Sequence, residues 1–152
     1  MREDFVSRAD RENFPFDPLD ALCAADSCAY LKDHELRYVW LNTAHGTLLG
    51  LPETHRAVGK ADSGIFSTEA ALAVERMEMN VLKTGKASRT MVSGILCPDG
   101  EKRSFVLTLA PVAAEGRVSG LFGLWTDVSS LVRDHEELKK KEAFFEDLFY
   151  NA

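Results

Sequence analysis

Three strand-like runs follow one another in the C-terminal half of the chain, and only short turns separate them. Residues 87–97, 104–112 and 118–128 are rich in Val, Leu, Phe and Thr, the composition of a β-strand. The turns between them, "PDGEKR" and "AAEGR", contain the Pro, Asp and Gly residues that tight turns use. The simplest packing of three strands joined in this way is an antiparallel sheet.

A second group of strands precedes these three. Residues 28–32 and 36–41 flank the polar triplet "DHE" and form a candidate hairpin. Asn42 closes the second strand and is expected to cap a short helix, "TAHGTLLG", which Gly50 ends.

A long helix is predicted over residues 67–83, with Ser67 as its N-cap and Gly85 as its stop. One apolar face recurs at helical spacing, formed by Ala70, Val74, Met77 and Val81. We interpret Glu75 and Glu78, three residues apart, as part of a solvated flank. The predicted order of elements is therefore two strands, a helical segment and three strands. This order predicts an α+β domain with one five-stranded antiparallel sheet and helices on one face.

Helical extensions are predicted on both sides of this domain. Residues 1–16 form an N-terminal helical arm or cap, and residues 17–129 form the domain, which begins with a short helix over 18–25. Residues 130–152 form an exit helix. Apolar residues in the exit helix lie seven apart, at Leu131, Leu138 and Phe145, a seam too short for an independent coiled coil.

Composition excludes several classes of protein. The 152 residues carry a net charge of −6, which argues against a nucleic-acid module with a basic stripe. No apolar run approaches the roughly 20 residues that span a bilayer, and the first residues lack the apolar segment of a signal peptide. We therefore expect a cytoplasmic protein. The three cysteines, Cys23, Cys28 and Cys97, have no zinc-like spacing and are interpreted as small buried thiols.

In this order and spacing, the motifs resemble those of a PAS domain over residues 20–129. They are "CAYLKDHELRYVWLNTAHGTLLGL", "VGKADSGIF", "EAALAVERMEMNVLKTGKA", "PDGEKRSFVLTLAPV" and "GRVSGLFGLWTDVSSL". The resemblance implies a sensor or interaction module of a bacterial signalling protein such as a sensor histidine kinase. It also implies a ligand or cofactor site between the sheet and the helices. The last residues, "EAFFEDLFYNA", resemble the opening of a second PAS repeat.

Two positions argue against a photochemical flavin. The reactive cysteine of blue-light PAS domains follows an Asn, and the matching residues here are Ala61 and Asp62. The glutamine that those domains carry on the last strand is replaced by Trp125. Haem-binding PAS domains commonly use a histidine on the long helix, but no histidine lies between His55 and His135. We expect no cofactor or an unknown small molecule, and a structural or surface role for His45 and His55.

No catalysis and no metal site are predicted. No serine lies in a nucleophile-elbow pattern, and no phosphate-binding glycine loop is present. The segment "PDGE" lacks the oxygen-ligand spacing of a calcium loop.

Alternation along "LFGLWTD" separates Leu121, Gly123 and Trp125 from Phe122 and Leu124. One set should face the helices and any pocket, and Phe122 and Leu124 are candidates for a sheet-face dimer contact. The residues expected to line the interior are Met77, Val81, Met91, Leu107, Leu109 and Trp125.

The triplet "DVS", Asp127 to Ser129, resembles the one that closes many PAS domains and passes signals to the exit helix. Asp127 is expected to accept backbone or Arg/Lys hydrogen bonds, and Ser129 or Ser130 to cap the helix. Two functions remain open. The first is a module that senses a small molecule and relays its state through the exit helix to a histidine kinase or cyclase. The second is a ligand-free module that forms a homodimer through the domain and its flanking helices.

Overall fold

The computed structural model describes residues 27–62 and 68–150. The strands are β1 (Cys28–Asp33), β2 (Tyr38–Leu41), β3 (Ser88–Leu96), β4 (Lys102–Ala114) and β5 (Arg117–Asp127). The helices are α1 (Thr43–Leu48), α2 (Thr68–Thr84) and α3 (Ser129–Tyr150), and a short 3₁₀ turn covers Thr54–Arg56. The predicted N-terminal arm, the helix over 18–25, Cys23 and the Ser67 cap lie outside the described residues.

One five-stranded sheet has the order β2-β1-β5-β4-β3, and its neighbouring strands are all antiparallel. This arrangement confirms the predicted α+β class and the five-stranded sheet. The three hairpins, β1–β2, β3–β4 and β4–β5, also lie where turn chemistry places them. Their strand ends differ from the predicted ends by at most two residues. The central position of β5, between β1 and β4, joins the N-terminal hairpin to the C-terminal three strands.

Helices α1 and α2 pack against the sheet, α1 on β1 and α2 on β3, β4 and β5. The face of α2 that meets the sheet contains Val74, Glu78 and Val81, and all three side chains are fully buried. Gly85, at φ +65°, ends α2 in the left-handed conformation that favours glycine.

Asn42 fixes the start of α1 against the sheet. Its side-chain Oδ1 accepts hydrogen bonds from the backbone N–H of His45 and from that of Ala29 on β1, both at 3.0 Å. One buried side chain therefore caps the helix and ties it to the neighbouring strand, as the position of Asn42 at the strand end predicts.

The inner face of β5 follows the predicted alternation. Leu121, Gly123 and Trp125 are buried, whereas Phe122 and Leu124 on the opposite face are half-buried. Gly123 pairs with Tyr30 of β1, and a Cβ atom at this position would collide with the Tyr30 ring. Glycine is therefore required here because the ring occupies the space of a side chain.

Helix α3 begins two residues after β5 ends, and nearly all of its side chains are exposed. Apolar side chains on this helix that face solvent are Leu131, Leu138, Phe144, Phe145, Leu148 and Phe149. Within residues 27–62 and 68–150, none of the helices combines the length and the apolarity that a membrane span requires.

Candidate functional site

A cluster of charged side chains lies buried between the sheet and α2. Lys32 of β1 contacts Asp62 through Nζ and Oδ2 at 2.5 Å, and Glu78 of α2 through Nζ and Oε1 at 2.8 Å. The side chains of Lys32, Asp62 and Glu78 are 1%, 6% and 0% exposed. Ion pairs at the surface contribute little to stability. These three groups are instead shielded from water, so each charge depends on the other two for its stabilisation.

Two tyrosines complete the coordination of the carboxylates. The Tyr30 hydroxyl donates to Glu78 Oε2 at 2.9 Å and accepts from Trp125 Nε1 at 3.1 Å. The Tyr38 hydroxyl donates to Asp62 Oδ1. Each carboxylate therefore accepts one bond from Lys32 and one from a tyrosine, so the hydrogen-bond network connects β1, β2, β5 and α2.

Lys32 is also enclosed by aromatic rings. Its Nζ lies 5.0 Å from the centroid of the Tyr30 ring and 4.6 Å from that of Tyr38, which are cation–π distances. Burial raises the pKa of Glu78, an effect that Lys32 opposes and Asp62 reinforces. Burial also raises the pKa values of Tyr30 and Tyr38, so both hydroxyls keep their protons at neutral pH.

His45 of α1 is fully buried against the cluster. Its ring centroid lies 4.6 Å from that of Tyr30, 5.6 Å from that of Tyr38 and 5.2 Å from that of Trp125. Burial, with a smaller effect of Lys32, lowers its pKa from 6.5 to about 3, so the imidazole is neutral at physiological pH.

The hydrogen bonds around His45 define its tautomer. Its Nε2 lies 3.0 Å from the Tyr38 hydroxyl oxygen, and the proton of that hydroxyl is already donated to Asp62. His45 Nε2 must therefore carry the proton and donate to Tyr38, which leaves Nδ1 as an acceptor. Among the described residues, Nδ1 has no hydrogen-bond partner although it is buried.

The residues predicted to line the interior lie mostly where expected. Val81, Leu107, Leu109 and Trp125 are at most 2% exposed, and Met77 packs against the core from its edge.

Met91 was predicted to line the interior, and that prediction is wrong. Its side chain is 56% exposed. Met91 pairs with Val106, the neighbour of the buried Leu107, and therefore lies on the outer face of the sheet, at its edge strand β3.

Glu78 was predicted to lie on a solvated flank with Glu75, and this prediction is also wrong. Glu75 is exposed, but Glu78 is fully buried. A signal was available, because Glu78 lies four residues after Val74 and three before Val81, on the same helical face. The partners Lys32, Asp62 and Tyr38 were not identified from sequence. The inward position of Lys32, two residues after Tyr30 on a strand, was the available signal.

A small apolar groove adjoins the cluster on the far side of Trp125. This groove, of about 310 Å³, lies between the end of α1 and the β3–β4 hairpin, and Leu48, Ile95, Pro98 and Trp125 are among its walls. Trp125 therefore separates the groove from His45, because its ring contacts both.

The start of α3 is hydrogen-bonded to the sheet at the end of β5. Asp127 Oδ1 accepts from the backbone N–H of Ser129 at 2.9 Å, and Arg103 Nε lies 4.0 Å from Asp127 Oδ2. The Ser129 hydroxyl accepts from the backbone N–H of Ser104 on β4 at 2.9 Å. Asp127 thus caps the first turn, whereas the hydroxyl of Ser129, predicted as a possible cap, bonds to the sheet.

In the part of the chain that the structure describes, no three His, Cys, Asp or Glu side chains are grouped to hold a metal ion. The two described cysteines, Cys28 and Cys97, are buried free thiols. Burial, followed by the nearby Asp127, raises the pKa of Cys28 to about 11, so this thiol is protonated at neutral pH.

Comparison with known proteins gives one family. The family described as PAS fold matches residues 23–133, and no curated protein shows significant sequence similarity to the chain. A structure of Vibrio cholerae VqmA in complex with a ligand and DNA is similar at a TM-score of 0.68 and 20% identity, over 77% of this chain and 53% of that one. VqmA has also been solved bound to DPO.

Two separate PAS domains are also similar in fold. The PAS domain of Bordetella pertussis BvgS gives a TM-score of 0.60 at 18% identity and covers 80% of this chain and 93% of that one. A PAS domain from Colwellia psychrerythraea gives a TM-score of 0.61 at 14% identity and covers 74% of this chain and 94% of that one. The match thus spans nearly all of these isolated domains but only about half of VqmA.

Proposed function

Because the chain belongs to the PAS fold family, we propose that it is a sensory module that binds a small molecule inside the domain and relays its state through α3. The observation that carries the proposal is the direct connection between core and exit helix. Trp125 contacts the buried cluster, and Asp127, two residues later on the same strand, caps α3. A change in packing around Trp125 would therefore reach the start of α3 within two residues.

The buried cluster supports the ligand-binding part of the proposal. Buried polar groups in proteins are nearly always hydrogen-bonded, so the Nδ1 of His45, which has no partner within residues 27–62 and 68–150, requires an explanation. A bound molecule that donates a hydrogen bond would supply the partner. Any ligand shifts the domain only as far as its affinities for the two states differ.

We propose that the ligand is colourless, rather than haem or a photochemical flavin. Asp62, at the position expected for the flavin-reactive cysteine, is paired with Lys32. Trp125, at the position of the flavin-contacting glutamine, donates to Tyr30. Both side chains are therefore held in the buried hydrogen-bond network. We also propose that this chain catalyses no reaction itself.

The effector is expected in the same full-length protein, as a histidine kinase or a cyclase. A DNA-binding effector is a further candidate because VqmA, whose structure includes DNA, shares the fold. We also propose a homodimer, formed through the flanking helices and the sheet face that contains Phe122 and Leu124.

A ligand-free dimerisation module is the second candidate, and the apolar surface of α3 favours it. Phe144, Phe145, Leu148 and Phe149 are each about half exposed or more, near the C-terminal end of α3. Such a patch on a polar helix is typical of an association surface.

Analysis of released small molecules distinguishes the two functions. The full-length protein, purified without added ligand, is scanned for visible absorbance and then denatured, and the supernatant is examined by mass spectrometry. We expect a colourless compound at a near-stoichiometric amount. A visible chromophore would overturn the cofactor proposal, and no released compound from protein prepared by rapid, undiluted purification would favour the dimerisation module.

A further inference from the structure

We propose that the ligand of this domain is a small flat molecule with an N–H donor and a neutral or positive charge, and that His45 Nδ1 is the acceptor that recognises it. This inference builds on the proposed sensory function and specifies the chemistry of its ligand. The hydrogen bonds, the charges and the rings around His45 support this ligand class.

The three donor groups of the aromatic rings that pack against His45 are already used. Trp125 donates to Tyr30, Tyr30 to Glu78, and Tyr38 to Asp62. Since the Nε2–H of His45 is donated to Tyr38, the imidazole offers only the lone pair of Nδ1. A ligand that accepts a hydrogen bond from Trp125, Tyr30 or Tyr38 would have to break one of these bonds, whereas a donor gives His45 Nδ1 the partner that it lacks among the described residues.

The charges of the cluster favour the same class of ligand. Lys32 is the one cation in contact with both Asp62 and Glu78 among the described residues. Two buried carboxylates thus share a single ammonium group. A buried anion would be repelled by the uncompensated carboxylate, but a neutral or cationic donor would not.

The rings around His45 favour a flat ligand. Three aromatic rings, those of Tyr30, Tyr38 and Trp125, pack against the imidazole, with the Trp125 ring nearly perpendicular to it at 80°. Aromatic faces attract planar and cationic groups.

The groove behind Trp125 provides the route of entry. It holds about 310 Å³, near the lower limit of small-molecule sites, and Trp125 is the wall that it shares with the surroundings of His45. A rotation of the indole would open the groove toward His45, at the cost of the hydrogen bond from Trp125 Nε1 to Tyr30 and of the ring contacts with Tyr30, His45 and Phe105. Because Trp125 lies two residues before Asp127, the same rotation would connect ligand entry to the start of α3.

Three probes of nearly equal shape test the donor requirement: benzamidine, benzamide and benzoate, which are a cationic donor, a neutral donor and an anionic acceptor. Each is titrated into the ¹⁵N-histidine-labelled protein, and long-range ¹⁵N–¹H spectra report both nitrogens of His45. We expect an unprotonated Nδ1 in the free protein. Its resonance should move on addition of benzamidine or benzamide, and benzoate should bind at least about tenfold more weakly, the value of one hydrogen bond.

His45→Phe keeps a flat ring but removes the acceptor, and we expect it to weaken benzamidine binding by about tenfold. His55→Phe, at a histidine whose side chain is 77% exposed, is the matched control and should bind as the unchanged protein does. If His45→Phe fails to fold, the Nδ1 resonance of the unchanged protein still decides.

Four results would overturn the inference: a protonated Nδ1 in the free protein, benzoate binding as tightly as benzamidine, unchanged binding by folded His45→Phe, or no movement of Nδ1 with either donor probe. The sensory function would survive each of them if denaturation released an endogenous compound. An acidic released compound would leave the sensor intact and reject only the ligand class.

Discussion

Lys32 holds two carboxylates that would otherwise be buried without a counter-charge. It is in contact with Asp62 and Glu78 at the same time, and all three side chains are nearly inaccessible to solvent. Removing one member of a buried ionic group leaves the others uncompensated, which is far more costly than losing an ion pair at the surface.

We therefore expect Lys32→Met to lower the free energy of unfolding by about 3–5 kcal/mol. Urea denaturation measures this loss in the free energy of unfolding. Lys60→Met, a change at an exposed lysine, is the control. Adding Glu78→Gln to Lys32→Met should recover part of the loss, because it removes one uncompensated charge. A loss as small as that of the control would show that the ion pairs are not important for stability.

His45 should make the stability of the domain depend on pH. Burial lowers its folded pKa from 6.5 to about 3, so between these values the unfolded chain binds a proton that the folded chain excludes. Stability then falls as pH decreases from about 6.5, and the loss between pH 7 and pH 5 is about 2 kcal/mol. Lys32, Asp62 and Glu78, the charged groups around His45, are unchanged in His45→Phe, so a comparison with this variant isolates the effect of the imidazole.

The measurement is the free energy of unfolding at pH 7 and pH 5 for the unchanged protein and for His45→Phe. The unchanged protein should lose about 2 kcal/mol more than the variant over this interval. Equal losses in both proteins would mean that His45 takes up a proton in the folded state.

At this scale, only part of the site could be predicted from the sequence. Periodicity identifies Val81 and Trp125 as interior residues because apolar side chains follow the period of their element. The same rule places Glu78 in solvent because its side chain is charged. Glu78 is buried because it pairs with Lys32, 46 positions away along the chain. Partners that the fold brings together over such a distance leave no local pattern.

At the scale of elements, the sequence predicts strands better than caps. Alternation and turn chemistry give each strand to within two residues, because both depend on neighbouring residues alone. The bond from Ser104 to the Ser129 hydroxyl joins β4 to α3 across 25 positions, so the role of Ser129 could not be read from the residues around it.

The close contact between β1 and β5 depends on Gly123. A methyl group at this position would collide with the Tyr30 ring, and Tyr30 is fixed by hydrogen bonds to Glu78 and Trp125. We expect Gly123→Ala to lower the free energy of unfolding by about 1–3 kcal/mol through overpacking.

Gly116→Ala is a suitable comparison, because a Cβ atom added at Gly116 would meet no other atom within 4 Å. Its cost arises from a positive φ of 73° rather than from contact. Adding Tyr30→Phe should not relieve Gly123→Ala, because the ring carbons remain in place. Unchanged stability of Gly123→Ala would show that the strands separate readily at this point.

At the scale of the whole molecule, we expect a dimer in which the apolar side chains of α3 are covered. Phe145 is 55% exposed and lies on the predicted seam. Phe145→Ser should shift the protein toward the monomer in sedimentation equilibrium, by about tenfold or more in dissociation constant. Lys140→Ser, an exposed position on the same helix, should leave it unchanged. An equal dissociation constant for both variants would exclude this part of α3 from the interface.

The central claim is that the state of the core reaches the effector through the cap that Asp127 provides to α3. Its most direct test is to measure the effector output of full-length protein that carries Asp127→Ala. Asp134→Ala, at an exposed position of α3, is the control, and a thermal melt of each variant reports whether it is folded. We expect Asp127→Ala to keep the fold, at a cost of about 1 kcal/mol, and to make the output independent of the ligand state. Normal regulated output from a normally folded Asp127→Ala protein would contradict the claim.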